Sequence, residues 1–254
     1  MTLKQLVKPL FTAVALTMLA TPGIAMAQVK KVVLVHGMNM DGGAWSSVYK
    51  RLVGDGYQVV VAQMPMTSID DDIAAVRRAI TMSNGPVVLV GHSYGGMVIS
   101  QAGKSPEVKA LVYVAAFQPE IGESLAKLNS SIPAKLPPDS LQVLKDGFYT
   151  VKPEAWIADV ANGVSEDEAQ YTANFQTPVN SAIFVYKAAA AAWHDKPVWS
   201  AIATEDRTIS PELQRMMSKR SEAKTVEVKG GHLLQISNPD EVTALIEKAA
   251  NAVD

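Results

Sequence analysis

Cysteine is missing from all 254 residues of the chain. That absence excludes a disulfide framework, a thiolate nucleophile, a cysteine metal site and a lipid anchor on an N-terminal cysteine. An excess of one charge is missing too: 23 Lys and Arg stand against 25 Asp and Glu, a formal net charge of −2. Neither the basic footprint of a nucleic-acid binder nor the acidic composition of a disordered chain is present. The HExxH, G-x-G-x-x-G and P-loop patterns do not occur. Histidine is scarce, so any imidazole base must be His36, His92, His194 or His232.

What the chain does have is apolar material. Hydrophobic residues make up 48% of it, enough for the core of one large α/β domain or two small ones. The first 27 residues have their own layout. Lys4 and Lys8 precede an apolar run, Leu10 to Ala20, then Thr21-Pro22-Gly23 and Ala25-Met26-Ala27. That is the pattern of a secretory signal peptide, residues 1–27, cleaved before Gln28. The apolar run is too short to span a bilayer comfortably. The expectation is a mature chain, residues 28–254, exported to the periplasm or secreted and free of a membrane anchor.

From Lys31 onward short apolar runs alternate with helical patterns. Strands are expected at Lys31–His36, Tyr57–Ala62, Val87–Val90 and Val108–Ala116. Ser68 is placed to cap the helix carrying Ile73, Val76 and Ile80, with Asp70, Asp71 and Asp72 in its first turn. Strand, helix, strand, helix implies a parallel sheet covered on both faces. The rhythm breaks over residues 118–195, where prolines and weak helical patterns (Glu154–Val160, Glu166–Asn174, Ala182–Ala192) read as a cap inserted into one sheet. Strand logic resumes at Pro197–Ala203 and Thr225–Val228, and a helix from Pro239 closes the chain.

Gly91-His92-Ser93-Tyr94-Gly95 fits G-x-S-x-G, between an apolar run and a helical pattern. In a nucleophile elbow the chain turns sharply from strand to helix, and the flanking glycines remove Cβ atoms that would clash. Ser93 is therefore the candidate nucleophile. A serine hydroxyl needs a base, and the base needs orienting. His92 lies inside the elbow, its side chain expected to face away from the serine. His194 lies near the end of the cap. His232, after Gly230-Gly231 and a late strand, has the right chain order for the base. The acid is expected between serine and histidine, where Asp206 and its neighbour Glu205 both qualify. Early in the chain, His36-Gly37-Met38 offers the backbone N–H of Met38, which with that of Tyr94 makes a candidate oxyanion hole.

Five segments together resemble the α/β-hydrolase superfamily, especially the small bacterial and plant esterases related to methyl esterases and hydroxynitrile lyases. They are VLVHGMNMDGGAW (Val33–Trp45), VVLVGHSYGGMVI (Val87–Ile99), ALVYVAAFQPEIGES (Ala110–Ser124), TEDRTISPELQ (Thr204–Gln214) and VKGGHLLQISNPDEV (Val228–Val242). The resemblance implies a mostly parallel eight-stranded sheet flanked by helices, with a helical cap after strand six. It also implies Ser93 as nucleophile, Asp206 as acid, His232 as base, and Met38 and Tyr94 as oxyanion donors, with neither metal nor cofactor. Plant lyases of this group carry threonine, glutamate and lysine where this chain has Gly37, His92 and Leu233. The missing lysine is the cation that would stabilise departing cyanide, which leaves hydrolysis.

The expected substrate is a small to medium hydrophobic carboxylic ester, held between sheet edge and cap. Gly37, Met38, Tyr94 and Phe117 are candidate contacts, as are the cap aromatics Phe148, Trp156, Phe175 and Trp193. Other readings of the same residues are a perhydrolase or haloperoxidase using peroxide as acyl acceptor, and a non-catalytic ligand receptor.

Overall fold

A computed structural model describes residues 29–253, so the expected signal peptide lies outside the described residues. The chain opens with strand β1 (Lys31–Val35) and a one-turn 3-10 helix (Gly42–Trp45) leading into helix α1 (Ser46–Gly54). Strand β2 (Gln58–Ala62), helix α2 (Ile69–Met82), strand β3 (Val87–His92), helix α3 (Gly95–Ala102) and strand β4 (Val108–Val114) follow. As the sequence suggests, Ser68 caps α2, its side chain accepting from the Asp71 N–H at 3.1 Å.

After β4 the chain leaves the sheet. It builds helix α4 (Leu125–Ser131), strands β5 (Leu141–Val143) and β6 (Phe148–Val151), and a short helix α5 (Pro153–Ala155) running into a π-helix (Trp156–Val160). Helix α6 (Glu166–Asn174) and strand β7 (Val179–Asn180) complete this layer. The chain then returns through β8 (Val198–Ala203), α7 (Pro211–Arg220), β9 (Lys224–Val228), α8 (Leu234–Ser237) and α9 (Pro239–Asn251).

The main sheet has the order β2-β1-β3-β4-β8-β9, and every pairing is parallel. A parallel sheet buried on both faces needs apolar side chains at every position, which explains the unbroken runs. Along β1 and β3 alternate residues serve different cores. Val33, Val35 and Leu89 pack with Val76, Met97 and Ile99, whereas Val32, Leu34, Val88 and Val90 pack with Trp45, Leu245 and Ile246. The chain steps outward from β1 to β2 and then returns to place β3 on the other side of β1. Such a switch of direction opens a crevice at the strands' carboxyl ends, where ligands bind in open α/β sheets.

Four expectations change. The main sheet has six strands among the described residues rather than eight, and the cap enters after the fourth of them. Nor is the cap purely helical: β5, β6 and β7 form their own antiparallel sheet. The stretch Ala182–Ala192, expected to be helical, holds only a short 3-10 turn (Ser181–Val185) followed by irregular chain up to a second such turn at Ala192–His194. A third apolar cluster, including Trp156, Val160, Met40 and Leu233, fastens the cap to the sheet's active edge.

Candidate active site

Ser93 sits at the corner between β3 and α3 with φ of +54°, in the left-handed region that non-glycine residues rarely occupy. Strain of this kind persists only where the surroundings over-determine it. Here the Ser93 N–H donates to Val114 O at 3.3 Å, and Ser93 O accepts from the N–H groups of Gly96 and Phe117 at 3.0 and 3.1 Å. The flanking glycines are required by contact. A Cβ on Gly95 would lie 2.7 Å from the carbonyl oxygens of Val35 and His36, and one on Gly91 would lie 2.7 Å from Gly95 C and O. Helix α3 begins two residues after Ser93, so its positive end lies beside the hydroxyl.

The structure brings the three distant residues together. Ser93 Oγ lies 2.9 Å from His232 Nε2, and His232 Nδ1 lies 2.8 Å from Asp206 Oδ2. All three are buried. Asp206 is tightly held: Oδ1 accepts from the N–H groups of Thr208 and Ile209 at 2.8 and 2.9 Å, and Oδ2 also accepts from Gln214 Nε2 at 2.8 Å. Four acceptor contacts fix the carboxylate's orientation and with it the ring of His232. Glu205 is exposed. Of the two acidic candidates, Asp206 is the one in contact with His232.

Met38 and Tyr94 follow the β1 and β3 ends. Neither backbone N–H donates to another described residue. Two neighbours that sequence reasoning missed hold the Met38 loop. Asn39, at φ +58°, donates from Nδ2 to Tyr149 O and Thr177 O at 3.2 and 3.1 Å, and the Tyr149 hydroxyl donates to Met38 Sδ at 3.1 Å. An asparagine is among the few side chains that tolerate positive φ, and that was the available signal. His36, at the root of the loop, donates from Nδ1 to Gly37 O at 3.0 Å and accepts from Met64 N–H at 3.1 Å. Burial lowers its pKa, so the ring is neutral.

The side chain of Tyr94 leaves the site altogether. Its hydroxyl donates to Asp72 Oδ2 at 2.7 Å in the core, while Asp72 Oδ1 accepts from Met66 N–H at 2.9 Å. Burial outweighs these bonds and raises the Asp72 pKa to about 6. Burial and the neighbouring carboxylate push Tyr94 well above its usual range.

A cavity of about 460 Å³ opens onto Ser93 and His232. Met38, Phe117 and Trp156 line it as expected, joined by Tyr149, Phe184 and Leu141. Other substrate-contact expectations need correction. Trp193 is outside this lining: it is buried, its indole N–H donates to Pro119 O at 2.8 Å, and it stacks on His194. Gly37 lies behind the site, where a Cβ would come within 2.9 Å of Ser93 Cβ. Phe175 is exposed and stacks on Tyr171 beside a neighbouring hollow, and Phe148 is absent from the cavity wall. His92, expected to face away from the serine, instead lines the cavity against His232, their ring centroids 4.7 Å apart.

A strand-turn-helix serine, a buried imidazole and a carboxylate at the carboxyl edge of a parallel sheet define the hydrolase class of α/β enzymes. The chain belongs to the alpha/beta hydrolase family, whose sequence profile matches residues 32–245. An alpha/beta hydrolase of Aspergillus novofumigatus, nvfD, is 26% identical over 242 residues, covering 86% of this chain and 96% of its own. Methylesterase 7 of Arabidopsis thaliana is 32% identical over 108 residues, 36% of this chain and 42% of that protein. A carbendazim hydrolyzing esterase of a Nocardioides species is 46% identical over 65 residues, about a quarter of each chain (25% and 26%). Among solved structures, a pyrethroid hydrolase from Sphingobium faniae superposes with a TM-score of 0.74 at 19% identity, covering 88% of this chain and 98% of that one. That likeness is one of fold.

Proposed function

We propose that this carboxylic ester hydrolase cleaves small to medium hydrophobic esters through an acyl-enzyme formed on Ser93. The observation that carries the reading is the continuous line Ser93 Oγ, His232, Asp206, with contacts of 2.9 and 2.8 Å, at the floor of a largely apolar cavity. Ser93 attacks the ester carbonyl as His232 Nε2 takes its proton. Asp206 orients the ring and stabilises the imidazolium. The N–H groups of Met38 and Tyr94 donate to the oxyanion, each worth about 3–4 kcal/mol in the transition state. His232 then protonates the departing alcohol, water attacks the acyl-enzyme by the reverse path, and the acid leaves.

The cavity supports the substrate class. Its walls are mostly Met, Leu, Val, Pro and aromatic side chains, and about 460 Å³ suits a molecule of modest size. The methylesterase and carbendazim esterase relatives point to the same kind of substrate. Expected in an ester screen varied separately in acyl and alcohol size is preference for apolar groups on both sides, with Ser93→Ala as the blank. A p-nitrophenyl acetate burst is expected from the wild type and not from Ser93→Ala; equal turnover by the two would overturn the reading and leave a ligand receptor. Turnover with peroxide in place of water tests the perhydrolase alternative. Export belongs to the same proposal: N-terminal sequencing of material recovered from outside the cytoplasm should begin at or near Gln28, and an intact Met1 would sink that part.

A further inference from the structure

We infer that His92, which the ester mechanism leaves without a role, is a positioning residue that ties the base loop to the nucleophile's strand. The inference rests on the proposed Ser93 and His232 chemistry and adds a part to it.

His232 has an exposed weakness. It follows Gly230-Gly231 on a loop between β9 and α8, and glycines leave such a loop many conformations. Yet its Nε2 must stay within hydrogen-bond reach of Ser93 while the ring gains and loses charge. His92, the last residue of β3 and the covalent neighbour of Ser93, reaches across this gap. Its Nε2 lies 2.9 Å from the carbonyl oxygen of His232. A carbonyl only accepts, so His92 Nε2 carries the proton. Its Nδ1 then accepts from Gln235 Nε2 at 3.4 Å, on the helix that follows the base.

The ring also fills space. It lies with its centroid 4.7 Å from that of His232 and meets the buried Trp45 edge-on at 6.4 Å. On the other side Gly37 has no side chain to intrude: a Cβ there would come within 2.8 Å of His92 Nδ1. Burial holds the His92 pKa well below the usual imidazole value, and a charged His232 beside it adds to the effect. The ring therefore remains a neutral donor while His232 becomes an imidazolium, and it does not compete for the Ser93 proton. One bond makes nucleophile and base move together.

Three variants test this with p-nitrophenyl acetate, each beside wild type and Ser93→Ala. His92→Phe keeps a ring and loses the donor. His92→Asn keeps an amide too short to reach the His232 carbonyl. His92→Gln places an amide N–H at about the reach of Nε2. Expected for Phe and Asn is a fall in kcat of about ten-fold or more with KM within about two-fold, and for Gln a kcat within about three-fold of wild type. Circular dichroism and Tm establish which variants are folded, and Asn carries the comparison if Phe is not. A folded Asn or Phe variant with wild-type kcat overturns the inference. So does a Gln variant as slow as Asn, which would make the imidazole itself essential. Turnover surviving in Ser93→Ala would instead overturn the ester mechanism on which the inference rests.

Discussion

At the scale of single residues, the acid is the most informative member of the site. Asp206 accepts from two backbone N–H groups, from Gln214 and from His232, so its task under the proposed mechanism is orientation as well as charge. Asp206→Asn preserves shape but leaves the imidazole facing an amide that favours the wrong tautomer. A loss of about 10³–10⁴-fold in kcat is expected, with KM little changed. Gln214→Leu removes one neutral donor and leaves the backbone pair in place. The expected loss is about ten-fold in kcat, read in the same assay. Sequence alone reached Ser93 because its spacing dictates the elbow, and His232 because few histidines competed. From chain order alone Asp206 and Glu205 both qualified, since neighbouring loop residues point in directions that only the fold decides, and it was the family resemblance that favoured Asp206. Trp193 misled for a related reason: an aromatic in a cap reads the same whether it faces a cavity or, as here, donates to Pro119 O in a packed corner.

At the scale of elements, two joints fix the site. The first is the elbow, where Gly95 lies against the end of β1. Gly95→Ala must push the helix away from the Val35 and His36 carbonyls, and a loss of about 1–3 kcal/mol is expected in urea unfolding, with activity falling further than stability. The second joint is the cap. Its π-helix holds buried Asp159, whose Oδ1 lies 2.6 Å from the Nε of Arg207, the residue after the acid. Just beyond, Asn162 donates to Glu205 O at 2.9 Å. The cap therefore braces the loop that carries Asp206. Arg207→Met leaves a buried carboxylate unpaired, and a destabilisation of about 1–3 kcal/mol is expected with a lowered kcat. The parallel strands were legible in sequence because their runs are long and buried on both faces. The cap sheet was not: strands of three, four and two residues are too short to display a period of two. The expected helix over Ala182–Ala192 failed because intrinsic helix propensity, even alanine's, is a weak bias that tertiary contacts override.

At the scale of the whole molecule, buried ionisable groups set how stability responds to pH, and they oppose one another. His36 and His92 are both buried with lowered pKa values. The unfolded chain therefore binds protons on these rings before the folded one does, as pH falls through about 6.5. Their contribution to stability is complete above that value and declines below it, by at most about 1.4 kcal/mol per pH unit for each ring. Asp72 works in the other direction. Its folded pKa is raised from 3.8 to about 6, so its contribution is complete below about pH 4 and is lost as pH rises through 6. Between pH 4 and 6 the histidines tilt stability upward with pH, and Asp72 tilts it downward. Removing each side should therefore change the slope with opposite sign. His92→Gln should flatten the rise of unfolding free energy with pH across 5 to 6.5, and Asp72→Asn should steepen it across 4 to 6, whatever either does to stability at pH 8. Urea unfolding at half-unit pH steps reads both slopes. If the two variants moved the slope in the same direction, the burial of one of these groups would not govern its titration.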